Sequence, residues 1–295
     1  MKKSFNFAQN AMLKTDVVKQ FSEYKKVQEK QDTKKLNWAA LVDSAFDYPV
    51  QNDAPYLSQG INCYPADKFQ DLKNAAPWLV PIEGNDDLLK RIIRHCSERP
   101  MLSMIASYEP IDKLKQMWEN LHWVSDVDNQ PMMLRIADTR ILPSLPAILN
   151  PAQWAALTSS IAHWLYINRE GQLNALALAP KTVKADEKIK LTQAQLNEFL
   201  TAAEPDALID FLVDNMPDVM PANLKGSAIY ELIKQSCKIA HTYKVEAFND
   251  RVSLAVAACL TLGDSNQNPK LEKILTLKKW EHGKLGEMLS AEEVV

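Results

Sequence analysis

Asp138 and Arg140 lie in the stretch LRIADTRILPSLPAILNPAQWAAL, Leu134 to Leu157, and are the charged pair whose setting most invites chemistry. An apolar run ends on them, and a segment dense in leucine and proline follows. A carboxylate beside a guanidinium could act as an oriented base, or as an ion pair that pins a chain reversal. General acid–base work needs a second acid, base or metal ligand within reach, and none recurs nearby in sequence. Asp138 is also placed to accept backbone N–H groups where a strand gives way to a helix. Arg140, two residues on, would point away from Asp138 in a helical turn and clamp another carboxylate or a loop carbonyl. The preferred reading is a structural corner. The alternative is a hydrolase that pairs Asp138 with a spatially distant His or Ser.

The other reactive residue types give less. His95, His122, His163, His241 and His282 form no metal-binding spacing, and no phosphate-binding glycine motif or nucleophile elbow occurs. Neither a metal nor a cofactor is therefore expected. Cys63, Cys96, Cys237 and Cys259 are scattered without a C-x-x-C pair and read as free thiols of a reducing compartment. Ser44 and Ser103 border apolar runs but have no base partner in sequence. Asp86 and Asp87 open a helix, where carboxylates meet the positive end of its dipole. Asp43 and Asp47 flank a turn and are suited to cap its N–H groups. The seven tryptophans, Trp38, Trp78, Trp118, Trp123, Trp154, Trp164 and Trp280, fall mostly inside periodic segments and read as core.

The elements that must position these groups can be read along the 295 residues. A net charge of -3 gives no reason to expect nucleic acid or an anionic membrane as partner. The most apolar run, Val252 to Gly263, is too short to cross a bilayer core of roughly 30 Å, and the N-terminus lacks the apolar stretch of a secretory signal. Cytoplasmic localisation follows as the expectation. Residues 1–35 read as an N-terminal extension with Val17, Phe21, Tyr24 and Val27 at helical spacing. Residues 36–180 alternate strands and helices. Asp128-Asn129-Gln130-Pro131 and Arg169-Glu170-Gly171 mark two hairpins. Residues 181–190 are charged and non-periodic, as in a linker. Residues 191–295 read as helix throughout: Thr192 and Gln195 form a capping box, and Asp206, Ser227, and Asn249 or Asp250 are further candidate caps. Met216, Met220 and Met288 could line a groove there. The fold class is α+β: an N-terminal mixed α/β lobe with a largely antiparallel sheet and hairpins, then an all-helical C-terminal lobe.

The segments WAALVDSAFDYP, NAAPWLVPI, SYEPIDKLKQMW, MMLRIADTRILPSLPAILNPAQWAAL and HWLYINREGQLNAL occur in a characteristic order. In that order and spacing they resemble the effector-chaperone (Tec, or Tap) adaptor domain of type VI secretion systems, over about residues 36 to 180. The resemblance marks Trp38, Asp43, Pro77, Trp78, Asp138, Arg140, Leu142 and Gln153 as its structural motif. It departs at Thr139, where the family usually has proline, and at Gln116-Met117-Trp118, where it often has a histidine-leucine-arginine cluster. The resemblance implies a non-catalytic chaperone that loads a secreted effector onto the VgrG spike protein, with a PAAR-type tip protein as a further partner. An immunity or inhibitor module is the alternative binding role.

Overall fold

Near-continuous apolar runs such as Leu36 to Val42 and Met101 to Ala106 belong in strands covered on both faces, and they are the centre of the sheet. The computed structural model describes residues 16–47, 53–64, 70–119, 121–186 and 188–295. Six strands are β1 (Asn37–Asp43), β2 (Ile61–Asn62), β3 (Pro77–Pro81), β4 (Leu102–Ser107), β7 (Ile161–Ile167) and β8 (Leu173–Ala175). They form one sheet in the order β2-β3-β1-β4-β7-β8, with every neighbouring pair antiparallel. β5 (Trp123–Ser125) and β6 (Pro131–Met133) make a separate two-stranded ribbon. The fold is α+β with a helical C-terminal region, in agreement with the class read from sequence.

Side-chain alternation gives the sheet two buried faces. Ala39, Leu41, Ile105 and Trp164 join the main core together with Leu114 and Trp118 of α3 (Ile111–Trp118) and, beyond the short α4 (Leu145–Ile148), Trp154 and Leu157 of α5 (Pro151–Thr158). Trp164 stacks between Trp118 and Trp154, at centroid distances of 5.4 and 6.0 Å. Each indole N–H is satisfied: Trp118 by the Leu157 carbonyl, Trp154 by that of Ala177, and Trp164 by the Ser103 hydroxyl. Register places Trp38, Ala106 and His163 side by side on the opposite face. There α1 (Asp16–Gln31) buries Val17 and Phe21. Phe21 meets Trp38 edge-on, and the Tyr24 hydroxyl lies 3.1 Å from His163 Nδ1. Val27, grouped with this face from its spacing, is half exposed. α2 (Asp86–Cys96) buries Leu88, Leu89, Ile92, Ile93 and Cys96 on one stripe, and Asn85 caps it in place of the aspartates that follow.

Contacts divide the chain into one unit up to Ala202 and a second from Ala203 to Val295. The division falls within α6 (Gln193–Asn215) and not at residues 181–190. That charged stretch is packed: Ile189 is buried in the main core, and Ser125 of β5 donates its N–H to the Ile189 carbonyl and accepts from the Leu191 N–H. Thr192 and Gln195 do cap α6 reciprocally. Asp206 starts nothing, because α6 runs on through Pro205. A proline there removes one helical bond, and the burial of Leu208, Ile209, Leu212 and Val213 outweighs it.

The second unit also contains α7 (Gly226–Thr242), α8 (Phe248–Leu260), α9 (Pro269–Leu277) and α10 (Leu285–Ala291). Ser227 and Asn249 cap neither α7 nor α8, whose N-cap positions are Lys225 and Ala247. Asp250 serves a different turn. Its buried carboxylate accepts from Trp280 Nε1 and from the backbone N–H groups of Gly283 and Leu285, at 3.0, 3.1 and 2.8 Å. Gly263 takes φ +99° where the chain leaves α8. No helix among the described residues is long and apolar enough to cross a membrane.

Candidate functional site: a carboxylate–guanidinium corner

Asp138 sits where the ribbon strand β6 hands the chain to the leucine-proline segment. No helix begins at 138–140. The chain turns tightly, with Ile141 and Leu142 N–H groups bonded to the Asp138 carbonyl, and a 3₁₀ turn follows at Leu142–Ser144. That geometry corrects the expected direction of Arg140. In a turn, unlike a helix, side chains two residues apart converge. Arg140 folds back on Asp138 with Nε 3.1 Å from Oδ1 and Nη2 2.8 Å from Oδ2, and its own N–H bonds Oδ1 at 3.0 Å. The pair is therefore bidentate and local.

Arg135 adds what spacing did not reveal. Its guanidinium bridges two carboxylates, Nη2 at 2.7 Å from Asp43 Oδ2 and Nη1 at 3.5 Å from Asp138 Oδ2. Asp43 ends β1 and Asp138 leaves the ribbon, so this one side chain ties the sheet to the corner. Both guanidinium groups lie over the Phe46 ring, each 5.1 Å from its centroid. Asp43 also accepts from the Ala45 N–H at 3.1 Å, the turn-capping role expected of it. Burial pushes the Asp43 carboxyl above the ordinary range, with Asp138 adding to the rise and Arg135 opposing it. A single charged residue inside the apolar run MMLRIA was the available signal, because a guanidinium drawn against an apolar core calls for a carboxylate partner.

A second knot sits four residues on. Asp47, expected to cap a turn, instead takes the Tyr56 hydroxyl at 2.7 Å, His95 Nε2 at 2.8 Å, and the Arg99 guanidinium. Burial acts to raise the Asp47 carboxyl, but the His95 and Tyr56 hydrogen bonds and the Arg99 charge outweigh it and hold the group low. Asp43 and Asp47 thus clamp both ends of the Ser44–Asp47 turn, one to the corner and one to the end of α2.

The remaining motif residues are embedded in the same body. Pro77 and Trp78 begin β3 opposite Asp43 and Val42. Trp38 and Leu142 are fully buried. Thr139 donates its N–H to the Pro100 carbonyl at 3.0 Å, a bond that the more usual proline would not make. In the Gln116-Met117-Trp118 segment only Trp118 is buried, while Gln116 and Met117 face outward. Gln153 completes a capping box with Asn150 and gives its amide N–H to the Lys190 carbonyl, while its Oε1 accepts from Gln195. Beside this network a cleft of about 520 Å³ is lined by Pro146, Ile148, Pro151, Trp154, Leu178 and Gln195.

The chemistry on offer is limited by pairing. Ser44 donates to the Ala76 carbonyl and Ser103 accepts from Trp164, so both hydroxyls have backbone or indole partners. All four cysteines are buried free thiols, and burial pushes Cys63 and Cys237 up to about 12. His122 alone among the histidines has both ring nitrogens buried without a partner. It sits edge-on to Tyr64 at 5.5 Å, and burial lowers it to about 4.

Residues 38–156 match the family described as "Domain of unknown function (DUF4123)". That span begins at Trp38 and contains Asp43, both arginines of the corner, Asp138 and Gln153. No curated protein and no solved structure matches the chain.

Proposed function

We propose that this chain is a cytoplasmic, non-catalytic adaptor that holds a type VI secretion effector and loads it onto the VgrG spike, with a PAAR-type tip protein as a further partner. The observation that carries the reading is positional. The matched span 38–156 coincides with most of the ordered segments that resemble the effector-chaperone domain. The corner adds support, because its carboxylates are engaged by guanidinium groups that join β1 to the segment after β6. Such groups hold a scaffold, whereas a general base needs a lone pair free to take a proton.

Affinity purification of the tagged full-length chain from cells expressing the secretion system, followed by mass spectrometry, tests the proposal. The expected result is a spike protein recovered with one large effector. Recovery of neither refutes it. If an effector is recovered without a spike protein and the chain rescues cells from that toxin, an immunity role replaces the adaptor role.

A further inference from the structure

The second unit leaves an aromatic pair in water. Phe211, near the end of α6, is only partly buried, and Phe248 at the start of α8 meets it edge-on, with centroids 5.2 Å apart and planes at 88°. Phe248 is 50% exposed and Met216 is 39% exposed. The 3₁₀ turn Pro217–Val219 packs against α8, which brings the end of α6 to the start of that helix.

Three carboxylates accompany this pair. Asp214 is one turn beyond Phe211 on α6, so the two share a helical face. Asp218 lies in the 3₁₀ turn, and Glu246 lies two residues before Phe248. All three are exposed, and none is ion-paired among the described residues. Several other carboxylates of this unit are engaged: Glu204 with His241 and Arg251, Glu231 with Lys234, Glu281 with Lys284, and Asp250 with its three N–H donors. An exposed aromatic patch with three unpaired carboxylates at its margin matches a partner that brings cations.

We propose that Phe211, Phe248 and Met216, edged by Asp214, Asp218 and Glu246, dock a protein segment with an apolar face and lysine or arginine at its margins. The rings bury against the apolar face, and the carboxylates select cationic edges and disfavour anionic ones. The adaptor reading bears only on which protein carries that segment. The surface itself stands on its own residues.

Two synthetic amphipathic helical peptides test the surface, identical in their leucine and phenylalanine face, one edged with lysine and the other with glutamate. Fluorescence anisotropy reads their binding to the full chain. The lysine-edged peptide is expected to bind at least about tenfold more tightly, with that preference shrinking near about 0.5 M salt. Phe248→Ser, at a half-exposed position, is expected to weaken the lysine-edged peptide at least about tenfold while the chain stays folded. Asp214→Asn with Asp218→Asn and Glu246→Gln is expected to erase the preference between peptides. Equal binding of both peptides to the unmodified chain, or unchanged binding to a folded Phe248→Ser chain, overturns the proposal. If the peptides behave as stated but no secretion protein co-purifies from cells, the surface stands and the adaptor reading falls. If secretion proteins co-purify equally with Phe248→Ser and the peptides show no preference, the reverse holds.

Discussion

Acid should destabilise the first unit through one residue, His122, by an amount that can be calculated. Its imidazole is buried at 1% exposure with neither nitrogen hydrogen-bonded. Charging it in place would put a cation in a site with no compensating partner, and burial accordingly lowers it from 6.5 to about 4. The unfolded chain therefore binds a proton between those values that the folded chain does not. Stability is fully present above the unfolded value and falls as the pH drops toward the folded one. Between about pH 7.5 and about pH 4.5 the linked loss is on the order of 2 kcal/mol. His122→Phe keeps a ring against Tyr64 and removes the titration. It also removes two orphaned polar atoms, so it should gain about 1 kcal/mol at neutral pH. Urea unfolding followed by tryptophan fluorescence, which reports mainly on the first unit's indoles, measures both chains at both pH values. Asp43, raised, and Asp47, lowered, also respond to acid, with opposite signs, but they do so equally in the two proteins. The difference between the two pH responses isolates His122. An acid loss in His122→Phe as large as in the unmodified chain would refute the reasoning.

Four further substitutions probe the corner, the Asp250 turn and two glycines. Asp138→Asn leaves Arg135 and Arg140 without the carboxylate they share, and should cost about 3 kcal/mol, read as a lower urea midpoint for the first unit. Asp250→Ala removes an acceptor from three N–H groups and should cost about 3 kcal/mol, with faster proteolysis between Trp280 and the start of α10. Gly60→Ala would drive a methyl into the Tyr56 carbonyl and the Trp78 ring, and should destabilise by about 2 kcal/mol or more in thermal unfolding, whereas Gly84→Ala meets no neighbouring atom and should cost only its left-handed backbone strain.

Sequence periodicity exposed the sheet strands β1, β4 and β7, the α2 stripe, and the two hairpins with Asn129 and Gly171 at positive φ, because each is a local pattern. It missed β3, since Pro77 and Pro81 bracket five residues and read as loop, and antiparallel pairing with β1 supplies what propensity lacks. Within the stretch read as helix throughout, it did not separate α10, a helix of seven residues whose start is fixed by Asp250, thirty-five positions earlier. The cap candidate Asp250 failed for a physical reason. A residue type that caps a helix also satisfies buried donors elsewhere, and only tertiary position decides between the two.

The corner shows the same limit where function is at issue. Asp138 and Arg140 were visible as a pair, but the helix assumed after them pointed Arg140 the wrong way, and spacing alone did not mark Arg135. What determines the site is that Asp43, ninety-two residues before Arg135, must be neutralised at the end of a strand buried on both faces. A carboxylate there is tolerable only if a guanidinium reaches it, and a guanidinium that also reaches Asp138 makes the turn at 138–140 part of the sheet's own stability. Loss of the corner would therefore move any surface carried by the segments on either side of it, even if that surface contains none of these charges. Asp138→Asn should accordingly weaken partner recovery in cells in proportion to the folded protein it removes. A chain that keeps its urea midpoint yet loses its partners would assign Asp138 a direct role in contact instead.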